Sequence, residues 1–224
     1  MGQMELFEEY APEEASFAPC LPGEFDAPPD LSALYELSAD AYSAVINAAM
    51  SGLPIKREIN RFIEKVRAAG DRDRAARVAS DRGDADVLAV LKAAYKVTVE
   101  IHRLTGLLRF SPDADGVYIA RCSPDYFILP ALAEHFTLRF GETPWAIIDE
   151  KRSLCLQGGN GAPTKLIPPP QSGPPAAAAG KEADSWEELW RLYHRSVNNE
   201  TRKNPRLQRQ FMPERYHKYL PEMK

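Results

Sequence analysis

Three side chains between residues 125 and 149 have the chemistry of a general acid–base site. Asp125 follows one candidate strand, His135 lies in a candidate helix, and Asp149 ends a second candidate strand. A carboxylate that holds an imidazole orients the ring and stabilises its cation, as a general base requires. If the strands bring their ends together, Asp125, His135 and Asp149 form a candidate catalytic site. Hydrogen bonding that serves only the fold is the alternative.

Cationic side chains flank the same candidate strands. Guanidinium groups bind phosphate oxygens in a bidentate way, so these residues are candidate contacts to a nucleic-acid backbone. They are His102, Arg103, Arg109, Arg121, Arg139 and Arg152. The alternative for those near residue 102 is stabilisation of a helix end, with a surface ion pair to Glu100. Tyr126 lies beside them and is a candidate ring for an unstacked base.

The C-terminal stretch combines basic and aromatic residues. Residues 191–224 carry nine Lys or Arg and three Glu. Basic tracks with aromatic rings are typical of surfaces that bind single-stranded nucleic acid. The candidate contacts here are Arg206, Arg209, Arg215 and Tyr216. The tryptophans Trp186 and Trp190 recur at helical spacing, which favours a place in the core.

The N-terminal stretch is acidic. Residues 1–40 hold ten Asp or Glu and no Lys or Arg, and five prolines lie between residues 12 and 29. This composition predicts a largely unfolded tail over residues 1–30. Within it, Gln3, Leu6 and Phe7 resemble the short Gln-x-x-Leu-Phe peptides by which bacterial replication and repair proteins dock on the sliding clamp. A chance match within an acidic tail is the alternative.

Composition excludes several classes of protein. The chain of 224 residues has a formal net charge of −4, and it has no apolar run of the 18–20 residues that a membrane span needs. Its three cysteines are too few for a disulfide framework, a structural zinc ribbon or an iron–sulfur cluster made by this chain alone. It contains no HExxH, GxGxxG or GxxxxGK[ST] motif. We therefore expect no cofactor, no membrane contact and, without a secretory leader, a cytoplasmic location.

Helical signals dominate residues 31–106. Ser38 is a candidate cap for a helix over residues 39–50, and Asp84 for a longer helix that ends near Thr105. A third helix is predicted around Ile59, from an apolar stripe with a helical period. Later in the chain, Ser185 and Glu188 have the spacing of a capping box, which predicts the start of a last helix.

The spacing of apolar residues changes from a helical to a strand-like pattern over much of residues 107–156. Strands are predicted at 107–111, 117–122, 144–149 and 153–156, with one helix at 130–140 between the second and third strands. Connections this short favour antiparallel pairing. The predicted fold class is therefore α+β, with a helical N-terminal half packed on a small four-stranded antiparallel sheet and C-terminal helices.

The predicted organisation has four parts. The acidic tail precedes a core over residues 31–156. Residues 157–184 are rich in Gly, Pro and Ala and are interpreted as a flexible insertion. Residues 185–224 form a basic helical segment that packs on the core.

Several long strings resemble a bacterial family described only as probable DNA metabolism proteins. The resemblance covers about residues 35–222, apart from the insertion. The strings are GLPIKREINRF, RVASDRGDADVLAVLKAAYKVTVEIHRLTGLLRF, YIARCSPDYFILPALAEHFTLRF, PWAIIDEKR and WEELWRLYHRSVNNETRKNPRLQRQFMPERYHKYLPE. Family members accompany a radical-SAM protein proposed to act in DNA repair. Many are fused to a uracil-DNA glycosylase-type domain, which this sequence lacks.

The resemblance implies a pathway rather than a reaction. We expect a nucleoid-associated accessory protein of base repair or DNA modification that binds DNA and acts with a radical-SAM or uracil-DNA glycosylase-type partner. One alternative is an enzyme that acts on a modified base through Asp125, His135 and Asp149. Another is a scaffold that docks on the sliding clamp through Gln3, Leu6 and Phe7. The three cysteines are too widely spaced for this chain to be the radical-SAM component.

Overall fold

The computed structural model describes residues 31–113, 115–169, 181–202 and 204–223. The predicted acidic tail, with Gln3, Leu6 and Phe7, lies outside the described residues. Within the described ranges, no helix has the length and apolar character to cross a membrane.

Five helices form residues 31–107 of the described chain. They are α1 (Leu31–Leu37), α2 (Ala39–Met50), α3 (Lys56–Ala68), α4 (Arg72–Ser80) and α5 (Ala85–Leu107). Helices α2, α3 and α5 were predicted individually, and α1 and α4 were not. The predicted caps of α2 and α5 are confirmed. The Ser38 hydroxyl accepts a hydrogen bond from the Ala41 amide, and the Asp84 carboxylate accepts from the amides of Asp86 and Val87. Each side chain thereby satisfies amides that a helix leaves without an intrahelical partner.

Helix α5 connects two apolar clusters. Its first half contributes Val87 and Val90 to a cluster with α1–α4, and its second half contributes Val97 and Leu104 to a cluster beneath the sheet. At 23 residues it is about 34 Å long. The helix therefore fixes the distance between the helical end of the molecule and the end that carries the sheet.

The sheet has five strands in the order β1-β2-β3-β4-β5. Their bounds are β1 (Ser111–Pro112), β2 (Tyr118–Cys122), β3 (Trp145–Asp149), β4 (Leu154–Gly159) and β5 (Ala162–Ile167). Helix α6 (Leu129–Phe140) follows β2 and packs on the sheet. The α+β class is confirmed, with five strands rather than the predicted four.

The predicted all-antiparallel pairing is wrong for β2 and β3, which run parallel, with Ala120 opposite Ile147. The other three pairs of neighbouring strands are antiparallel. The 22 residues between β2 and β3 contain α6, and a helix of this size makes the crossover that parallel strands require. The antiparallel expectation applied a rule for hairpins to a connection that is too long for one.

Strand β5 lies within the stretch interpreted as a flexible insertion. A regular strand therefore replaces the predicted flexible chain over Ala162–Ile167. The turn before it contains Asn160 and Gly161 with φ of 58° and 66°, the left-handed backbone that favours these two residue types. The turn folds β5 back onto β4 as a hairpin.

Gly158 on β4 allows Trp145 to lie against the sheet. A Cβ at residue 158 would stand 2.5 Å from Cζ2 and 2.6 Å from Cε2 of this buried indole. Gly158→Ala is expected to lower the free energy of unfolding by about 1–3 kcal/mol, because the core must shift to admit the methyl group. Denaturant unfolding measures this change.

Gly106→Ala is the matched control, since a Cβ at residue 106 of α5 meets no atom within 4 Å. We expect this variant to gain about 0.5–1 kcal/mol from helix propensity. Equal destabilisation by both substitutions would contradict the role given to Gly158.

Over residues 181–202 and 204–223, the structure describes two helices and three short 3-10 turns. The helices are α7 (Lys181–Val197) and α8 (Pro205–Phe211), and the turns are Glu200–Arg202, Glu214–Tyr219 and Pro221–Met223. Helix α7 begins four residues before the predicted capping box, so Ser185 lies inside it. The residues from Lys181 to Asp184 extend the helix instead of belonging to an insertion. We call residues 214–223 the C-terminal segment.

Candidate functional site

Asp149 is a buried structural carboxylate at the end of β3. Its Oδ1 accepts hydrogen bonds from the amides of Lys151 at 2.9 Å and Arg152 at 3.2 Å, and its Oδ2 accepts from Arg152 Nη1 at 2.8 Å. Arg152 in turn donates to the carbonyl oxygens of Pro124 and Asp125. Asp149 and Arg152 therefore tie the β3–β4 turn to the loop after β2.

His135 does not join this arrangement. It lies exposed on α6, where its ring contacts Phe136 edge to face at 4.8 Å between centroids. Among the described residues, no hydrogen bond links His135 to Asp125 or Asp149. The structure thus connects Asp125 to Asp149 through Arg152 but does not assemble the predicted acid–base site.

Glu100 is the centre of a buried polar network that the sequence analysis assigned to a surface ion pair. The residue is 1 % exposed. Its carboxylate accepts hydrogen bonds from the amides of Asp125 and Tyr126, both at 2.9 Å, and from the hydroxyl of Tyr216 at 2.5 Å. A signal was present in the sequence, because Glu100 lies on the same stripe of α5 as the buried Val97 and Leu104.

Arg215 closes this network from the C-terminal segment. Its guanidinium contacts Glu100 at 3.1 Å and Asp125 Oδ2 at 2.8 Å, and it lies 4.8 Å from the centroid of Tyr216. Burial and the hydrogen bond to Glu100 raise the pKa of the Tyr216 hydroxyl above its ordinary value. Tyr216 is buried, so its ring has no face open to a base. Its role is to hold the C-terminal segment on α5.

Most of the arginines proposed for phosphate contact are already engaged. Four are paired with carboxylates: Arg109 with Glu222, Arg121 with Glu150, Arg152 with Asp149, and Arg215 with Asp125. Arg103 and Arg209 donate to backbone carbonyls, and His102 is exposed on α5. Of the proposed arginines in the part of the chain that the structure describes, Arg139 and Arg206 form neither an ion pair nor a hydrogen bond. Four of the proposed phosphate contacts are thus paired with carboxylates among the described residues, and contact of these arginines with phosphate stays a prediction.

A large open cleft lies between the sheet and α7, with a volume of about 930 Å³. We call it the aromatic cleft, because five of the side chains that line it are aromatic. They are Phe110, Tyr118, Phe140, Trp190 and Tyr193. Tyr118, Trp190 and Tyr193 are 36 %, 38 % and 55 % exposed, so their rings are open to a ligand.

The rings of one wall contact each other. Phe140 lies 4.8 Å from Phe110 and 5.5 Å from Tyr118 between ring centroids. Phe140 also stacks on the buried Trp145 at 6.3 Å, which joins the wall to the core. Arg139 precedes Phe140 on α6, is exposed and also lines the cleft.

The opposite wall is held by the C-terminal segment. Trp190 donates its indole N–H to Glu222 at 2.9 Å, and Arg109 donates to the other oxygen of the same carboxylate at 2.6 Å. Although burial opposes ionisation, the hydrogen bond from Arg109 keeps the pKa of Glu222 below its ordinary value. The Arg109 guanidinium also lies 5.3 Å from the centroid of Trp190. These contacts fix the orientation of the indole.

The sequence did not predict the cleft, although three residues that line it, Arg109, Arg139 and Trp190, were assigned other roles there. The helical spacing of Trp190 predicted a core residue, but α7 contacts the rest of the protein mainly through the turn at Pro221–Met223. Among the described side chains of α7, Leu189, Leu192, Tyr193 and Val197 are consequently exposed. The side chain of Trp186 lies outside the described residues. Tyr126, proposed as a base contact, is partly buried against the core cluster beneath the sheet.

The residues of the cleft favour stacking over covalent chemistry. Exposed aromatic faces beside a guanidinium bind flat rings that carry or adjoin negative charge. Within the described ranges, no group of three or more His, Cys, Asp or Glu residues could hold a metal ion. Cys122 and Cys155 are buried, and burial raises the pKa of both thiols, which makes them poor nucleophiles.

The fold and the site define an α+β protein with an aromatic cleft between its sheet and a C-terminal helix. Residues 57–222 match the profile of a domain of unknown function, DUF4130. Because the match covers more than half of the chain, this protein belongs to that family. Comparisons with curated proteins and with solved structures found no match.

Proposed function

We propose that this protein is a DNA-associated accessory protein of base repair or modification, and that its aromatic cleft takes an unpaired base. The observation that carries the proposal is the cleft, with three exposed aromatic rings beside a guanidinium that has no carboxylate partner among the described residues. Each base that stacks on an aromatic side chain contributes about 1–3 kcal/mol. The cleft is therefore suited to a base outside a duplex.

The distribution of charge supports single-stranded nucleic acid over duplex. Recognition of a duplex backbone needs many free cations along one surface. Here, four of the proposed arginines are neutralised by carboxylates, whereas stacking needs few charges. We assign to Arg139, which lines the cleft, the contact with a phosphate that flanks the stacked base.

The resemblance described above supports the pathway. A protein that holds an unpaired base suits a partner of the radical-SAM or uracil-DNA glycosylase type, since such enzymes act on bases that have left the stack. The scaffold alternative, through Gln3, Leu6 and Phe7, remains a prediction. The enzyme alternative gains no support from the contacts of His135.

Binding of a fluorescent single-stranded oligonucleotide, compared with the same sequence as a duplex, tests the proposal. We expect tighter binding of the single strand. Arg139→Gln should weaken this binding and reduce the dependence of log K on log salt by about 0.7, the value for one phosphate contact on a single strand. Fluorescence anisotropy between 50 and 300 mM salt measures both quantities.

Arg77→Gln is the control, because Arg77 is an exposed arginine on α4 and does not line the cleft. Its variant should keep the affinity and the salt dependence of the unaltered protein. A preference for duplex DNA, or equal losses in the two variants, would contradict the proposal.

A further inference from the structure

The acidic N-terminal stretch has the charge to complement the rest of the chain. Residues 1–30 contain eight Asp or Glu and no Lys or Arg. The remaining residues hold 28 basic against 24 acidic side chains, a net charge of +4. Attraction to the body of the protein is therefore expected, and it acts within one molecule, where the effective concentration is high.

The same stretch carries the flat rings that the aromatic cleft accommodates. Phe7 and Tyr10 are separated by the carboxylates of Glu8 and Glu9, and Glu5 precedes them. Single-stranded nucleic acid likewise alternates flat aromatic bases with negatively charged phosphates. A surface built from exposed aromatic faces and a guanidinium offers both the same contacts.

The distance from the start of α1 to the aromatic cleft limits which of residues 1–30 can reach the cleft. Leu31 packs against the cluster that contains Val87, and Thr105 lines the cleft. The 18 residues of α5 from Val87 to Thr105 rise by about 27 Å, which we take as the order of the distance to be spanned. At about 3.1 Å per residue, a chain from residue 10 to Leu31 can span about 65 Å. A chain from residue 24 can span only about 22 Å, which is too short.

We propose that residues 5–10 occupy the aromatic cleft of the same molecule, with Phe7 between the rings and the adjacent carboxylates near Arg139, and that single-stranded nucleic acid displaces them. The displacing ligand rests on the proposed function, whereas the contact within the chain does not. Because Leu6 and Phe7 also belong to the predicted clamp-docking peptide, occupation of the cleft hides that peptide until nucleic acid is bound.

Photocrosslinking of the full chain tests the contact without DNA. The variant Phe7→Bpa places photoreactive p-benzoylphenylalanine at residue 7, and mass spectrometry locates the bond that it forms. We expect crosslinks to the residues lining the cleft, in a product of monomer mass, and their loss on addition of oligothymidylate. Phe25→Bpa is the control and should give none in the cleft. Crosslinks elsewhere, no crosslink, or a product of dimer mass would overturn the proposal.

Affinity for a single-stranded oligonucleotide tests the competition. The variant Phe7→Ala/Glu8→Gln/Glu9→Gln should bind about fivefold more tightly, because an open cleft removes the population cost of displacement. The variant Phe25→Ala/Glu24→Gln/Asp26→Asn likewise removes one phenylalanine and two carboxylates, and should bind as the unaltered protein does. Equal tightening in both would assign the effect to net charge and overturn the proposal. If the unaltered protein and both variants fail to bind DNA, the proposed function fails. The crosslinks from residue 7 still show whether residues 5–10 contact the cleft.

Discussion

Glu100→Ala is expected to lower the free energy of unfolding by about 3–5 kcal/mol, because it removes the acceptor shared by Tyr216, Arg215 and two loop amides. The buried Tyr216 hydroxyl would retain only Arg215 as a partner, and Arg215 cannot accept its proton. Chemical denaturation measures the loss. Because the network joins α5 to the C-terminal segment, we also expect faster hydrogen exchange in residues 214–223.

Two further variants calibrate this prediction. Tyr216→Phe removes only the hydroxyl and should cost about 1–2 kcal/mol. Glu134→Ala, on the exposed face of α6, should change the stability by less than about 0.5 kcal/mol. A loss in Glu100→Ala no larger than in Glu134→Ala would show that the network does not hold the C-terminal segment.

The double variant Tyr118→Ala/Tyr193→Ala is expected to weaken the binding of single-stranded DNA by about 30-fold or more. Each tyrosine presents an exposed ring on a different wall of the aromatic cleft, and the loss of one stacked base costs about 1–3 kcal/mol. Fluorescence anisotropy with a short oligothymidylate measures the change, and thermal unfolding verifies that the variant is folded.

The control replaces an exposed tyrosine and an exposed apolar residue that lie outside the cleft. Tyr95 on α5 is 70 % exposed, and Leu192 is exposed on α7 beside Tyr193. Tyr95→Ala/Leu192→Ala should retain the affinity, since neither side chain lines the cleft. Similar losses in the two double variants would assign the binding to general surface contacts and contradict a stacking site.

The helix ends and the fold class could be predicted because their signals are local. Ser38 and Asp84 cap the amides that begin their own helices, within three residues of each cap. The pairing of β2 with β3 could not be predicted in this way, since it depends on α6 crossing one face of the sheet. A pattern of strands and turns records which segments are extended but not which edges meet.

The ion pairs near the candidate site also depend on contacts between residues that are distant in the sequence. Arg109 and Arg215 were correctly seen as part of a cationic composition, yet their carboxylate partners lie far away in the sequence. Arg109 meets Glu222 across 113 residues, and Arg215 meets Glu100 across 115 residues. Charge counts along the chain therefore do not show which cations are paired with a carboxylate in the fold.

By itself, the sequence determined the α+β class, the helical first half, the resemblance to a bacterial family and the separation of an acidic N-terminal stretch from a cationic remainder. Periodicity, capping and composition act over a few residues, so they can be read along the chain. Only the tertiary structure decided which arginines pair with carboxylates, that Glu100 is buried, and where the aromatic cleft forms. Those features arise when distant segments meet and exclude water between them, and the cleft exists because α7 is held at its edge by Glu222.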